Sequence, residues 1–155
     1  MMAGNLAVKI CSMSETDVVE VKRMEAEINL SPWSIEDYYN EIKRTDSISL
    51  VAKVNRKIVG FIVARLIISE NTSYEIEIYN ICVAKKHRRN SIGKTFIEKL
   101  IKTSKQNVNS IWLDVRKSND SALSFYKKLN FKIIYTRKNF YTNPTEDGLA
   151  LKMEV

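Results

Sequence analysis

Cysteine, histidine, glycine and proline are all sparse in this chain of 155 residues, which holds two Cys, one His, four Gly and two Pro. Cys11 and Cys82 lie 71 positions apart and His87 stands alone, so neither a disulfide framework nor a Cys/His zinc spacing is present, and no metal is expected. With so little Gly and Pro and no low-complexity tract, a disordered chain is excluded. Long apolar runs are missing too. The longest, Ile58 to Ala64, is seven residues, against about 20 for a membrane helix. Met1-Met2-Ala3-Gly4-Asn5 shows no charged segment followed by an apolar stretch, so no signal peptide is read there. Unpaired thiols without an export signal point to a reducing, cytoplasmic setting. What remains is an ordinary globular composition, 45% hydrophobic and 28% charged, at a length that makes one domain over residues 1–155. Such a chain buries roughly 68–70% of its unfolded surface and needs no covalent staple.

The charge is unevenly spread. The net charge is +7, yet residues 1–80 carry nine basic and twelve acidic side chains, whereas residues 81–155 carry sixteen and six. An anionic partner for the second half is implied. Three readings follow: a solvated basic surface, a nucleic-acid patch, or a site for a small polyanionic cofactor.

Periodicity gives the element order. Leu6 to Cys11 reads as a strand. Ser14 and Asp17 open a helix with Val18, Val21, Met24 or Glu25, and Ile28 at helical spacing. Ser31-Pro32-Trp33-Ser34 breaks it, and Ser34 starts a second helix with Ile35, Tyr38, Tyr39 and Ile42 inward. Ser49 to Val54 and Lys57 to Ile68 form a hairpin about Asn55-Arg56, and Tyr74 to Val83 is a further strand. A helix from about Ser91 to Gln106 carries Ile92, Phe96, Ile97, Leu100 and Ile101 as its stripe. Then come a strand (Ser110 to Val115), a helix (Asn119 to Leu129), a strand (Lys132 to Arg137), a polar loop (139–147) and a last strand (Gly148 to Glu154). The order β-α-α-β-β-β-α-β-α-β-β predicts one mixed sheet with helices on its faces.

The most telling segment runs from Ile81 to Lys94. A strand ends, a basic loop turns, and a helix opens, with no acid between Ala84 and Ile97. Helix N-termini offer unpaired N–H groups and partial positive charge. Arg88, Arg89 and Lys94 add to that, so the segment suits a pyrophosphate. Arg88-x-x-Ser91-x-Gly93 resembles the Q/R-x-x-G-x-G/A loop that binds coenzyme A in the GNAT N-acetyltransferase superfamily. Glu75 to Val83 resembles that superfamily's fourth strand, and Ile111 to Tyr126 its fifth strand and next helix. Leu129-Asn130-Phe131, Arg137 to Tyr141 and Glu146 to Leu151 follow in the same order. With Pro32-Trp33-Ser34 near the front, residues 6–154 are similar to the RimI-type group. That group holds ribosomal-protein alanine N-acetyltransferases and the catalytic subunits of archaeal and eukaryotic N-terminal acetyltransferases.

The resemblance implies an α/β fold with one mixed, mostly antiparallel sheet of about seven strands, splayed between strands 4 and 5 and flanked by about four helices. It implies acetyl transfer from acetyl-CoA to a protein N-terminus, such as that of a ribosomal protein, with no metal, membrane or nucleic acid required. Cofactor contacts would come from Ile81, Cys82, Val83, Arg88, Arg89, Asn90, Ser91, Ile92, Gly93, Lys94, Asn119 and Tyr126. Ser91 replaces the loop's first Gly. It keeps an N–H and could cap the helix, and it obstructs only if its φ must be positive. Asp114 stands where a Glu is common, and with Glu77 it is a candidate general base. The plainer readings are an edge position for Glu77 and an ion pair with Arg116 for Asp114. A backbone N–H near Cys82 or Val83 would serve the oxyanion. Tyr126 would be the general acid, its other reading being core packing. Asn119 either contacts the pantetheine arm or caps the helix that follows. Leu30, Trp33 and Tyr141, beside Phe140, would line the peptide groove. Cys82 reads as a small apolar residue rather than a nucleophile. The alternatives are an acetyltransferase for a small amine or lysine side chain, and a non-catalytic basic module that binds ribosome or RNA.

Overall fold

The structure is a computed structural model that describes residues 7–28, 33–104 and 107–155. Its strands are β1 (Lys9–Ser12), β2 (Ser47–Val54), β3 (Lys57–Ile68), β4 (Tyr74–Val83), β5 (Val108–Arg116), β6 (Lys132–Tyr141) and β7 (Glu146–Glu154). Its helices are α1 (Val18–Ile28), α2 (Ile35–Ile42), α3 (Ile92–Ser104) and α4 (Asp120–Lys128). The seven strands form one sheet in the order β1-β2-β3-β4-β5-β7-β6. The β4–β5 pair is parallel, whereas β1–β2, β5–β7 and β6–β7 are antiparallel. The parallel ladder starts at Tyr74 and ends at Ile78 opposite Leu113, so the last five residues of β4 lie beyond it. The element order is the expected one. The main difference is β6, which continues to Tyr141 where a polar loop was expected, leaving 142–145 as the turn.

The chain resolves into two compact units. The first holds residues up to Ala64 together with Asn80–Thr103. Its core gathers Val18, Val21 and Met24 of α1, Tyr38 of α2, and Val51, Phe61, Val63 and Cys82 of the strands. Local chemistry starts both of its early helices. The Ser14 N–H donates to the Asp17 carboxylate at 2.9 Å, before a 3-10 turn that leads into α1. At α2 the bonds are reciprocal: Asp37 N–H to Ser34 Oγ at 3.1 Å, and Ser34 N–H to Asp37 Oδ2 at 2.7 Å. Asn55 and Arg56 both take positive φ (50° and 67°), which fits the twist of a two-residue hairpin between β2 and β3. Gly60 permits a close approach: a Cβ there would stand 2.9 Å from the Cys82 carbonyl oxygen and 3.3 Å from the Phe96 ring.

The second unit holds Arg65–Tyr79 and Ser104–Val155. Its buried apolar residues include Ile76, Ile78, Ile111, Leu113, Val115, Phe131, Leu149 and Leu151, with Tyr126 of α4. β6 lies at the sheet edge and is exposed at nearly every position. Ile28 and Ile35, expected inward, are 42% and 41% exposed. Both sit at helix ends, where the stripe runs past the core it covers.

Candidate active site

In the first unit, β4 leaves the ladder and passes through a 3-10 turn (Lys85–His87) into α3. Arg88 Nε donates to the Val83 carbonyl at 3.0 Å, which folds the loop back on the strand end. The first helical bond of α3 is Thr95 N–H to Ser91 O, at 2.9 Å, and the Thr95 hydroxyl doubles it at 2.8 Å. The N–H groups of Ile92, Gly93 and Lys94 therefore precede the helical ladder and remain available to an anion. Arg88, Arg89, Asn90, Ser91 and Lys94 are exposed around them, Gly93 is half-buried, and Ile92 is tucked into the core at 3%. This is a fitting set of donors for a pyrophosphate.

Ser91 departs from expectation. Its φ is 60°, and Arg89 has φ 66°. An N-cap residue is extended, so Ser91 does not cap α3. It adopts the left-handed backbone that glycine would take freely, at a cost of about 1–2 kcal/mol. The conformation that raised the steric question is present, and serine accommodates it.

Ile81 and Val83 are half-buried, and Cys82 is buried. Burial pushes the Cys82 thiol up to about 11, which removes it as a nucleophile at neutral pH. Trp33 is half-buried, with its ring 5.2 Å from that of Tyr38. Leu30 lies outside the described residues.

In the second unit, Glu77 and Asp114 line one groove of about 170 Å³ with Glu75, Trp112, Tyr135 and Arg137 on its polar side. Register explains the gathering. Glu77 is opposite Trp112 on β5, Asp114 is opposite Ala150 on β7, and Ala150 is opposite Tyr135 on β6. Cross-strand partners share a face and residues two apart return to it, so these side chains all project from one face. Glu77 accepts a hydrogen bond from the Tyr79 hydroxyl at 3.2 Å. Asp114 Oδ1 is paired with Arg137 Nε at 2.9 Å. The expected partner, Arg116, instead donates to the Pro144 and Thr142 carbonyls at 3.0 and 2.9 Å and lies over the Tyr141 ring. The carboxylate raises the Arg137 guanidinium above its usual range, mainly by the direct hydrogen bond. Arg137 also donates to the Tyr135 hydroxyl at 2.6 Å. Trp112 Nε1 is buried without a hydrogen-bond partner among the described residues.

Tyr126 is 6% exposed, between the rings of Phe125 and Phe131 at 5.1 and 5.3 Å. Burial, with nearby Tyr141 adding to it, holds its hydroxyl far above the usual tyrosine range. That hydroxyl has no hydrogen-bond partner among the described residues. Tyr141 is half-buried, its hydroxyl pushed up to about 12 by burial and then by the Asp114 charge. Its ring meets Phe140 edge-on at 5.0 Å. The Asn119 Oδ1 accepts the Ala122 N–H at 3.1 Å, so Asn119 caps α4.

Sequence reasoning gave no role to Arg137, Tyr135, Trp112 or Glu75. Alternation on β6 could have paired Tyr135 with Arg137, but nothing local assigns Arg137 to a carboxylate 23 positions away. Among the described residues no group of three His, Cys, Asp or Glu side chains could hold a metal ion, and no helix is long and apolar enough to cross a membrane.

Residues 18–131 match the acetyltransferase (GNAT) family. The [ribosomal protein bS18]-alanine N-acetyltransferase of Escherichia coli (strain K12) is 30% identical over 141 residues, covering 90% of this chain and 89% of that protein. The crystal structure of the ribosomal-protein-S18-alanine N-acetyltransferase from Escherichia coli superposes with a TM-score of 0.82 at 25% identity, over 96% of this chain and 94% of that one. Arabidopsis thaliana NAA60 in complex with acetyl-CoA gives a TM-score of 0.86 over 96% and 99% of the two chains, at 17% identity, a likeness of fold alone.

Proposed function

Because the chain belongs to the acetyltransferase (GNAT) family and is thereby an acetyl-CoA-dependent N-acetyltransferase, we propose that its acceptor is the α-amine of a protein N-terminus. A ribosomal protein in the cytoplasm is the favoured target. The observation that carries this reading is the placing of Glu77 and Asp114 in one groove. An amine must shed a proton before it attacks, and a carboxylate, directly or through water, can take it. At pH 7 about a tenth of an α-amine is already neutral, against well under a hundredth of a lysine. A modest carboxylate base therefore suits an N-terminus better than a lysine side chain.

Acetyl-CoA supplies the thioester carbonyl and the sulfur leaving group. The N–H groups from Asn90 to Lys94, with Arg88 and Arg89, hold its pyrophosphate. Glu77, whose carboxylate carries only the Tyr79 hydroxyl among the described residues, takes the amine proton. Asp114, fixed by Arg137, orients the amine or a bridging water. A backbone N–H at Cys82 or Val83 faces the carbonyl oxygen. Tyr126 gives its proton to the sulfur as the C–N bond forms and the C–S bond breaks. The Asn119 side-chain amide remains for the pantetheine arm, and Tyr141 and Trp33 are the aromatic side chains assigned to contact with the peptide.

The test is acetyl-CoA turnover against peptides that differ only in their first two residues, beside the same peptides blocked at the α-amine and carrying an internal lysine. Turnover confined to free N-termini is expected. Equal turnover of the blocked peptides would replace this reading with a lysine acetyltransferase.

A further inference from the structure

Glu25 is 1% exposed on α1, and the transfer reaction makes no use of it. A carboxylate withdrawn from water so fully is costly unless paired and hydrogen-bonded. Its partners trace a line through the first unit. Lys22 Nζ donates to Glu25 Oε2 at 3.0 Å and to the Trp33 carbonyl at 2.6 Å. The Tyr38 hydroxyl, fully buried, donates to the same Oε2 at 3.4 Å. Asn80 Nδ2, on β4 and 4% exposed, donates to that hydroxyl at 3.0 Å. These bonds reach the main chain at Trp33, just before the cap of α2. They also reach Asn80, the residue before Ile81, where β4 has left the parallel ladder.

We propose that Lys22 is a positioning residue: its ammonium, seated on the buried Glu25 carboxylate, fixes the Trp33 main chain, and Tyr38 and Asn80 tie that anchor to β4. The proposal rests on the reading of Trp33 as a wall of the peptide groove. Stability alone gives no reason for the arrangement, since buried ion pairs are commonly replaced by apolar residues without loss. Connection does: Asn80 donates to Tyr38 and Tyr38 to Glu25, while Lys22 donates to both Glu25 and the Trp33 carbonyl, so the wall and the strand end are held through one carboxylate. The ring contacts of Tyr38 to Trp33 (5.2 Å) and Phe61 (6.0 Å) supply packing independently of its hydroxyl.

Lys22→Met keeps the aliphatic stem and removes the donors. The KM for peptide is expected to rise about tenfold, equivalent to about 1.4 kcal/mol, with kcat and the KM for acetyl-CoA held within about twofold. Lys22→Arg should recover most of the loss. Tyr38→Phe keeps the ring and cuts the line at its middle, so a several-fold rise in peptide KM is expected there too, whatever the folding of Lys22→Met. If both variants keep the wild-type peptide KM while Trp33→Ala raises it, the positioning proposal is overturned and the wall stands. If Trp33→Ala also leaves peptide KM unchanged, the wall reading falls and takes the proposal with it. A loss of kcat in step with the folded fraction, at constant KM, would mark a purely structural network and overturn the proposal.

Discussion

Tyr126 has its ring held in the core and a hydroxyl with no hydrogen-bond partner among the described residues. Tyr126→Phe leaves the packing with Phe125 and Phe131 intact. We expect kcat to fall about 10- to 1000-fold with acetyl-CoA affinity unchanged by calorimetry; full activity would return the residue to packing alone. The two carboxylates separate by their partners. Glu77→Gln should lower kcat at neutral pH by about 100-fold, whereas Asp114→Asn, which also releases Arg137, should raise peptide KM as well. Steady-state kinetics on both variants checks the division, and an unaffected Glu77→Gln would move the base to Asp114. Ser91 offers a test of opposite sign. Glycine occupies φ 60° without the side-chain penalty, so Ser91→Gly should add about 0.5–1 kcal/mol of stability and raise Tm by about 1–4 °C. The KM for acetyl-CoA should stay level or fall. A lower Tm would show that the serine hydroxyl contributes more than the strain removes.

At the scale of elements, β4 is the strand on which most depends, and Gly60 sets its path. With a Cβ 2.9 Å from the Cys82 carbonyl, Gly60→Ala must push back the segment Ile81–Val83 or distort β3. Overpacking of this kind costs about 1–3 kcal/mol, and the same shift would displace the N–H groups assigned to the thioester oxygen. Denaturant melts should show that loss, and kcat should fall by more than the folded fraction accounts for. A stable and fully active Gly60→Ala would mean that β4 yields without consequence. The other strand of note is β6, an edge with exposed Ile133, Ile134, Tyr135 and Phe140. Lys132, Arg137 and Lys138 interrupt its apolar face, the usual protection of a free edge. Solvent on both sides also explains why its length was not legible: nothing forces apolar and polar residues to alternate past Arg137, so Lys138 and Asn139 read as loop.

At the scale of the molecule, most of the architecture could be read from periodicity because both units bury ordinary amphipathic stripes, and β3 and β4 fall on their expected bounds. The loop proposed for the pyrophosphate was legible as a structure because it is local, a strand end, a basic turn and a helix start. The groove was legible only by halves. Glu77 and Asp114 were visible as candidates, but Arg137, Tyr135 and Trp112 reach them through strand pairing, which no short window of sequence records. Glu25 was visible as an alternative to Met24 in the stripe of α1, but periodicity does not say that its carboxylate is buried or that Lys22 carries it to the Trp33 carbonyl. Charge was visible from the start, and it yields a global prediction. With +7 overall and the excess in residues 81–155, raising salt from about 50 to about 500 mM shortens the screening length severalfold and should raise the KM for acetyl-CoA. Arg88→Glu combined with Arg89→Glu should raise that KM at low salt and flatten its salt dependence, with little change in Tm, because exposed charges add little stability. A KM indifferent to salt in the parent chain would put the cofactor's phosphates elsewhere.

The burial of Cys82 reaches beyond catalysis. With its thiol pushed up to about 11, only about one molecule in ten thousand carries the thiolate at pH 7. Peroxide, disulfide exchange and alkylating reagents all act on the thiolate, so this sulfur is chemically quiet. Cys11, half-buried on β1, is left as the accessible thiol. A fluorophore or spin label attached there would mark one known place in each molecule without a cysteine having to be removed.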